Sequence, residues 1–348
     1  MNYPKTILFL GETYRADAQT WIRGIERVSG LTIDTLEVEN TGSRFGRILK
    51  FLGFGLRIVG NNFTKSYDLV LAERATSYGF FSLFVRAKKR IVAQQGITDA
   101  WPETGFSGVY KRFLQAKVYQ QVDLIHAWGQ VMVPAMLSPG VNPEKILILP
   151  KGLDLARYTF QRTDKKNVFQ AIVTRSLTSV YHHADILNAM AVLKKKGILI
   201  HLTIVGDGDR ESSLRSQADT LGLTAQILFL GRIPNDSLPS HLQNASIYLS
   251  VPETEGVSAS LFEAMASGCF PIVTDLEGTR AFIDNGENGF LIPVNSPDAL
   301  AEAIEKFLAN SEEYAQAVFR NRAFIEEKVD LEKNMSEIWG RYLKVFNS

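Results

Sequence analysis

Apolar and polar positions alternate along this chain in two similar runs. In the first, short apolar blocks at 6–10, 31–38, 68–72, 90–93 and 124–127 read as strands, with a helical period over 16–28 between the first two. In the second, blocks at 169–173, 202–205, 227–230, 247–251 and 270–274 read as strands. Helical spacing separates them at 184–196, 210–221, 237–243 and from Ser258 onward, and three more helices are predicted at 297–308, 311–328 and 331–345. Strands this short and this uniformly apolar are buried on both faces, and their alternation with helices predicts parallel sheets. The fold class is therefore α/β, in two halves. Residues 150–166 are polar and charged without a clear period and read as the connection between the halves.

Composition adds bounds. A length of 348 residues favours two domains of common size, and 45% hydrophobic with 22% charged residues is ordinary for a globular chain. The single cysteine, Cys269, excludes an internal disulfide and fits a reducing, cytoplasmic setting. It lies in the apolar run 269–273, where a buried, inert thiol is expected. The first residues carry an apolar run of only 7–10 with Glu12 close behind, unlike a signal peptide. No stretch approaches the ~20 apolar residues of a spanning helix.

Charge changes the picture more. Residues 1–155 hold 19 Lys+Arg against 13 Asp+Glu, a net of +6, whereas residues 156–348 hold 19 against 24, a net of −5. The basic half favours an anionic partner, a membrane surface or a phosphate-bearing acceptor. The excess is too modest, and the chain too free of binding signatures, for nucleic acid. The stretch 44–65 concentrates it, with Arg44, Arg47, Lys50, Arg57 and Lys65 and no acid between Glu39 and Asp68. Phe45, Ile48, Leu49, Leu52, Leu56 and Val59 recur there at helical spacing. Two readings are compatible: a helix packed on the sheet through that stripe, and a basic amphipathic helix in a membrane interface, with Phe51 and Phe54 facing lipid.

Ligands of open α/β sheets bind beyond the carboxyl ends of the strands. In the second half those ends carry Arg175, then Gly206, Asp207 and Gly208, then Gly231 and Arg232, then Glu255, and last Asp275. Glycines admit a ligand close to the backbone. Ser258 is a good N-cap for the helix that follows, and a helix start attracts phosphate. Glu255 and Glu263 flank that start, and an ionised carboxylate can accept two hydroxyl hydrogen bonds from a sugar diol. On local chemistry alone, an ordinary buried αβ unit with two solvated acids reads equally well. The first strand–helix turn, GETYRADA, lacks the glycine fingerprint of a dinucleotide site.

The second half also carries an ordered set of motifs. Glu255-GVSASLF-Glu263 is an E-x7-E pattern, followed by AMASG and PIV. VGDG (205–208), FLGRIP (229–234) and NASIYLS precede it, and NGENGFLIP (285–293) and DALAEAI (298–304) follow. With PEKILILPKGLD (143–154), and more loosely QQGITD (94–99) and VDLIHA (122–127), the chain resembles the retaining GT-B glycosyltransferases of glycosyltransferase family 4, the group 1 glycosyltransferases.

That resemblance implies two Rossmann-like domains with parallel sheets facing across a cleft: an acceptor-binding domain over 1–155, a nucleotide-sugar-binding domain over 156–330, and a last helix, 331–348, crossing back to the first. It implies hexosyl transfer (EC 2.4.1.-) from a nucleoside-diphosphate sugar, with retention, to a glycan or lipid-linked acceptor, with no cofactor. No aspartate–metal arrangement is apparent and the His and Cys positions make no zinc site, so no metal is expected, and the basic first half points to surface polysaccharide or lipid-linked glycan assembly at the inner membrane face. By the same resemblance Glu263 holds the ribose, Glu255 the transferred sugar and Arg175 the diphosphate. Backbone amides of Gly256, Val257, Ser258, Ala259 and Ser260 help with the phosphates, Gly206, Asp207 and Gly208 join the donor site, and Gly231, Arg232 and Ile233 lie near the base. Gln95 stands where many members have a histidine beside the reacting sugar.

Three departures follow. No lysine comes shortly after Arg175, where RSLTSVYHH places Tyr181, His182 and His183; both histidines read as surface residues at a helix start. Gln95 cannot act as an acid or base. An expected acid is replaced by Ala281, beside Arg280. A catalytically silent GT-B protein that binds a nucleotide-sugar or a partner is the rival reading.

Overall fold

The computed structural model describes residues 2–38, 44–96, 106–160 and 169–348. The chain forms two compact units, Met1–Gly152 with Leu331–Ser348, and Leu153–Asp330.

In the first unit six parallel strands stand in the order β2-β1-β3-β4-β5-β6: β1 Ile7–Leu10, β2 Ile33–Leu36, β3 Tyr67–Glu73, β4 Ala87–Gln94, β5 Leu124–Ala127 and β6 Ile146–Ile148. Its helices are α1 Ala16–Ser29, α2 Arg44–Thr64, α3 Phe106–Gln121 and α4 Val133–Leu137. The terminal helix Leu331–Phe346 also belongs to this unit and buries Met335, Ile338, Trp339, Tyr342 and Leu343. Met335 occupies the space over Gly24 of α1, where a Cβ would come within 2.6 Å of its sulfur. The Tyr342 hydroxyl reaches His126 Nδ1 at 2.7 Å. His126 is fully buried, and burial pushes its pKa down to about 4, so the ring is neutral; its Nε2 donates to the Leu149 carbonyl at 2.8 Å.

Helix α2 reverses one expectation. Phe54 and Ile58 are buried, with Phe54 edge-on to Tyr78 and Phe81, and Phe51 stacks on Phe81 at 5.7 Å. The stripe expected to pack inward instead faces out: Leu49, Leu52, Leu56, Val59 and, one turn on, Phe63 are 51–85% exposed. Both faces of this helix are apolar, so periodicity alone does not choose between them. The aromatic lining at Tyr78 and Phe81 selects phenylalanine. The side chains of Phe45 and Ile48 lie outside the described residues.

The second unit has the order β12-β11-β10-β7-β8-β9, all parallel: β7 Phe169–Thr174, β8 Ile200–Val205, β9 Ile227–Gly231, β10 Ile247–Ser250, β11 Phe270–Thr274 and β12 Phe290–Ile292. Its helices are α5 His183–Lys195, α6 Glu211–Thr220, α7 Leu238–Gln243, α8 Ala259–Ser267, α9 Glu277–Arg280, α10 Pro297–Ala309 and α11 Ser311–Lys328; the terminal helix is then α12. One sheet face packs Val173, Ile204, Leu249 and Ile272 with Met190 of α5 and Ile304 of α10. The other packs Ile172, Tyr248 and Val273 with Met265 of α8 and Ile325 of α11. Each such side chain contributes about 1.5–3 kcal/mol by leaving water. The chain adds strands outward from β7 in one direction and from β10 in the other. The order therefore reverses between β7 and β10, and the crevice beyond that pair is where open α/β sheets hold ligands.

Candidate functional site

At this reversal point Arg175 follows β7 and Glu255 follows β10. The Arg175 guanidinium is ion-paired with Glu255 Oε2, donates to Ser258 Oγ, and reaches the Ser250 hydroxyl from Nε at 3.4 Å. The two charged side chains are only 12% and 13% exposed. Burial opposes the guanidinium charge, but Tyr248, Glu255 and Tyr181 outweigh it and raise its pKa. Tyr181 offers a ring face to the guanidinium carbon, 5.2 Å from the centroid.

Ser258 is the N-cap of α8. Its backbone is extended (φ −90°, ψ 101°), and its side chain accepts from the Leu261 amide at 3.2 Å. The same hydroxyl oxygen therefore meets both the helix start and Arg175. Ser258→Ala should lower stability by about 1 kcal/mol. Urea unfolding checks this, and unchanged stability would count against the cap. Gly256 is buried, Val257 and Ser260 are half-buried, and Ala259 is exposed at the first helical position. First-turn amides have no partner within the helix and face whatever occupies its start.

Glu263, one turn into α8, points at a different partner. It accepts from the Tyr158 hydroxyl at 2.8 Å. Burial raises its pKa, against opposing pulls from Tyr158, Arg175 and Arg157. Tyr158 is 2% exposed and belongs to the core of the second unit, and the Tyr158 and Ala266 carbonyls both accept from Arg322 Nη1 at 2.6 and 2.8 Å. The stretch read as a connection thus supplies a buried side chain. Its signal was a lone tyrosine among charged residues.

The glycines also serve the packing of the chain on itself. Gly206 has φ +141°, and a Cβ there would collide with the Arg175 carbonyl; one on Gly208 would collide with the Leu177 carbonyl. The Leu177 amide donates to the Asp207 carbonyl at 2.8 Å, and the Gly206 amide to that of Gly231 at 2.9 Å. These residues therefore seat the backbone that presents Arg175, and Asp207 and Gly208 are exposed beyond it. Gly278 does the same for the other partner, lying against the carbonyls of Glu255 and Gly256. Gly231 (φ +66°) has open space where a Cβ would stand, with Arg232 exposed and Ile233 half-buried after it. Arg280 pairs with Asp275 at 2.6 Å on the surface.

The histidines differ from expectation as well. His182 is half-buried in a left-handed conformation (φ 47°), 3.6 Å from Asp185 and 3.7 Å from Glu253. His183 is 2% exposed, and neither ring nitrogen has a hydrogen-bond partner. Burial and the nearby Arg175 charge push its pKa down to about 4. Helical position did not reveal this, because α5 starts directly under the loop that carries Arg175 and Tyr181. Cys269 is fully buried with its thiol pKa pushed up, an inert group as expected.

Gln95 stands in the first unit, just past β4, donating to Glu73 at 2.6 Å; residues 97–99 of its motif lie outside the described residues. Among the described residues no three His, Cys, Asp or Glu are grouped to hold a metal, and no helix is long and apolar enough to cross a membrane.

Residues 157–323, the span holding Arg175, Glu255 and Glu263, match the family described as glycosyl transferases group 1. This part of the chain belongs to that family. The putative colanic acid biosynthesis glycosyltransferase WcaL of Salmonella typhimurium is 27% identical over 198 residues, 55% of this chain and 49% of that protein. A phosphatidyl-myo-inositol mannosyltransferase of Mycobacterium tuberculosis is 36% identical over 123 residues, 35% of this chain and 32% of that protein. The chain spans about half the length, or less, of these curated relatives. The crystal structure of Anabaena Alr3699/HepE in complex with UDP superposes with a TM-score of 0.78 at 17% identity, covering 97% of this chain and 99% of that one. The fold is that of GT-B glycosyltransferases.

Proposed function

We propose that the protein transfers a hexose from a nucleoside-diphosphate sugar to a hydroxyl of a glycan or lipid-linked acceptor in surface polysaccharide or glycolipid synthesis, with retention, as expected of family 4, and without a metal. The observation that carries this reading is the Arg175–Glu255–Ser258 cluster at the reversal point of the second sheet, inside the family match. The leaving group is a diphosphate, so the largest task is to stabilise charge developing on it. A buried guanidinium and a helix start are preorganised to do so. Glu263, aligned by Tyr158, holds the ribose hydroxyls; Glu255 leaves Arg175 for the sugar hydroxyls as the diphosphate arrives; the 231–233 loop receives the base. A thermal-shift screen over UDP, GDP, ADP and CMP and their sugars, followed by product analysis, tests the reading. Binding without turnover across broad acceptors would favour the silent alternative, to which the prior neutralisation of Arg175 by Glu255 lends some weight. No stabilisation by any nucleotide would sink both.

The proposal includes peripheral contact with anionic membrane through residues 44–65. The outward stripe of α2 lies among Lys50, Arg57 and Lys65, and α2 has no acidic residue. Helix α3 is also free of acids, carries Lys111, Arg112 and Lys117, and exposes Val109, Tyr110 and Phe113. Both helices pack on the segment 75–82. Apolar side chains among cations suit the boundary between headgroups and acyl chains. In flotation with phosphatidylglycerol vesicles the wild type should float and Leu56→Glu/Phe63→Glu should stay behind, at equal thermal stability. Equal flotation of the two, or flotation indifferent to salt and lipid charge, would refute membrane contact here.

A further inference from the structure

Glu73 ends β3 in the first unit and is fully buried. Both of its oxygens are in use. Oε1 accepts from Gln95 Nε2 at 2.6 Å, and Oε2 accepts from the Glu12 amide at 3.0 Å. Gly11 makes room for the carboxylate, since a Cβ there would stand 2.7 Å from Oε2. The nearest guanidinium, Arg74, is 3.8 Å from Glu73 but 2.7 Å from Glu12 Oε2, so its closer ion pair is elsewhere. Arg74 also has a left-handed backbone (φ 57°), a conformation costly for a residue with a Cβ. The neighbouring Gln94 is occupied in the turn itself, accepting from the Ala75 amide at 3.2 Å. A carboxylate buried this deeply is costly unless hydrogen bonds hold it, and burial raises its pKa.

The consequence concerns Gln95. An amide side chain has a donating end and an accepting end, and rotation by half a turn exchanges them. The structure turns the NH2 end of Gln95 to Glu73, whose Oε1 accepts from it. The amide oxygen is then the end of Gln95 not spent on Glu73, on a half-buried residue just past the end of β4.

We propose that Glu73 is a positioning residue that presents Gln95 as a hydrogen-bond acceptor to a substrate hydroxyl. This rests on the transfer reading and on Gln95 as a substrate contact. The hydroxyl donates its hydrogen to Gln95 Oε1, no covalent bond changes there, and the oxygen lone pairs of the hydroxyl are oriented for its reaction or its binding.

The test is a double-mutant cycle of Glu73→Gln, which keeps the volume but offers either end of an amide, with Gln95→Leu. Each single change should lower kcat on the order of 10- to 100-fold, as misplacement of an orienting group does, with KM for the nucleotide-sugar and the thermal shift given by UDP, GDP or ADP unchanged. The double variant should be no slower than Gln95→Leu alone. Additive losses, full activity of Glu73→Gln, or a parallel fall of kcat, nucleotide binding and thermal stability would overturn the proposal. Hydrogen exchange at the Gln95 side-chain amide, followed by 15N NMR, reads the positioning without turnover. Slow exchange in the wild type that becomes fast in Glu73→Gln supports it, and fast exchange in the wild type refutes it. If nucleotide binds but no variant and no wild-type sample turns over, the transfer reading falls while this exchange result still stands.

Discussion

Glu255→Ala is expected to abolish measurable sugar transfer and to destabilise the second unit, whereas Glu255→Gln abolishes transfer with a smaller loss of stability. The two outcomes separate because Glu255 has two tasks. Without substrate it neutralises Arg175, and both side chains are close to nine-tenths buried. Removing one partner of such a pair leaves an uncompensated buried charge, at a cost of about 3 kcal/mol or more. Glutamine keeps an accepting oxygen for the guanidinium, so the hydrogen bond survives and part of that cost is avoided, but it supplies neither the counter-charge nor the negative charge that grips sugar hydroxyls. Losses of about 100- to 1000-fold in kcat are ordinary when one preorganised charge-stabilising group is lost. Urea unfolding beside a transfer assay checks both halves. Turnover by Glu255→Ala at wild-type rates would end the assignment of this loop to the reacting sugar.

The second large effect is acid sensitivity through His183. Its pKa is about 4 in the folded chain and about 6.5 when unfolded. Between those values the unfolded chain binds a proton that the native one refuses. Stability from this group is therefore complete above about pH 6.5 and lost as pH falls toward 4, by roughly 3 kcal/mol in all. Glu263, whose pKa is raised by burial, works in the opposite direction above the ordinary carboxylate range. The measurement therefore compares the wild type with His183→Leu. At pH 7.5 the variant should be about as stable, because it removes two ring nitrogens that have no partners. At pH 5 the wild type should fall behind it by about 2 kcal/mol. Parallel pH profiles would refute the claim. A diphosphate bound beside Arg175 offsets the guanidinium charge that disfavours imidazolium, so saturating nucleotide should shrink the difference.

What could be read from the amino-acid order depended on whether a feature was local. The strands at 124–127 and 270–274 coincide with β5 and β11 because mostly apolar runs this short, bounded by polar residues, suit a buried strand better than a helix. Strands β6 and β12, three residues each, were too short to stand out. Ser258 as N-cap and the placing of Arg175 and Glu255 at strand ends were legible from spacing, since the chemistry and the position lie in the same few residues. The pairing of Arg175 with Glu255 was not, because it depends on β7 and β10 being neighbours across 80 residues of chain. The same holds for Tyr158 with Glu263 and for Glu73 with Gln95. Gly206, Gly208 and Gly278 show the other limit. A glycine advertises close approach, and which part of the chain makes that approach is decided by the fold.

The return of α12 to the first unit bears on how the protein is made. On a ribosome the sheet β1–β6 emerges before the second unit, yet the helix that covers Gly24 and meets His126 is translated after it. The second unit is continuous in sequence, Leu153–Asp330, and has every one of its own residues before α12 exists. The order of completion is thus opposite to the order of synthesis. Until translation passes Leu343 the older half exposes the apolar surface that α12 covers, which makes it the natural client of a chaperone.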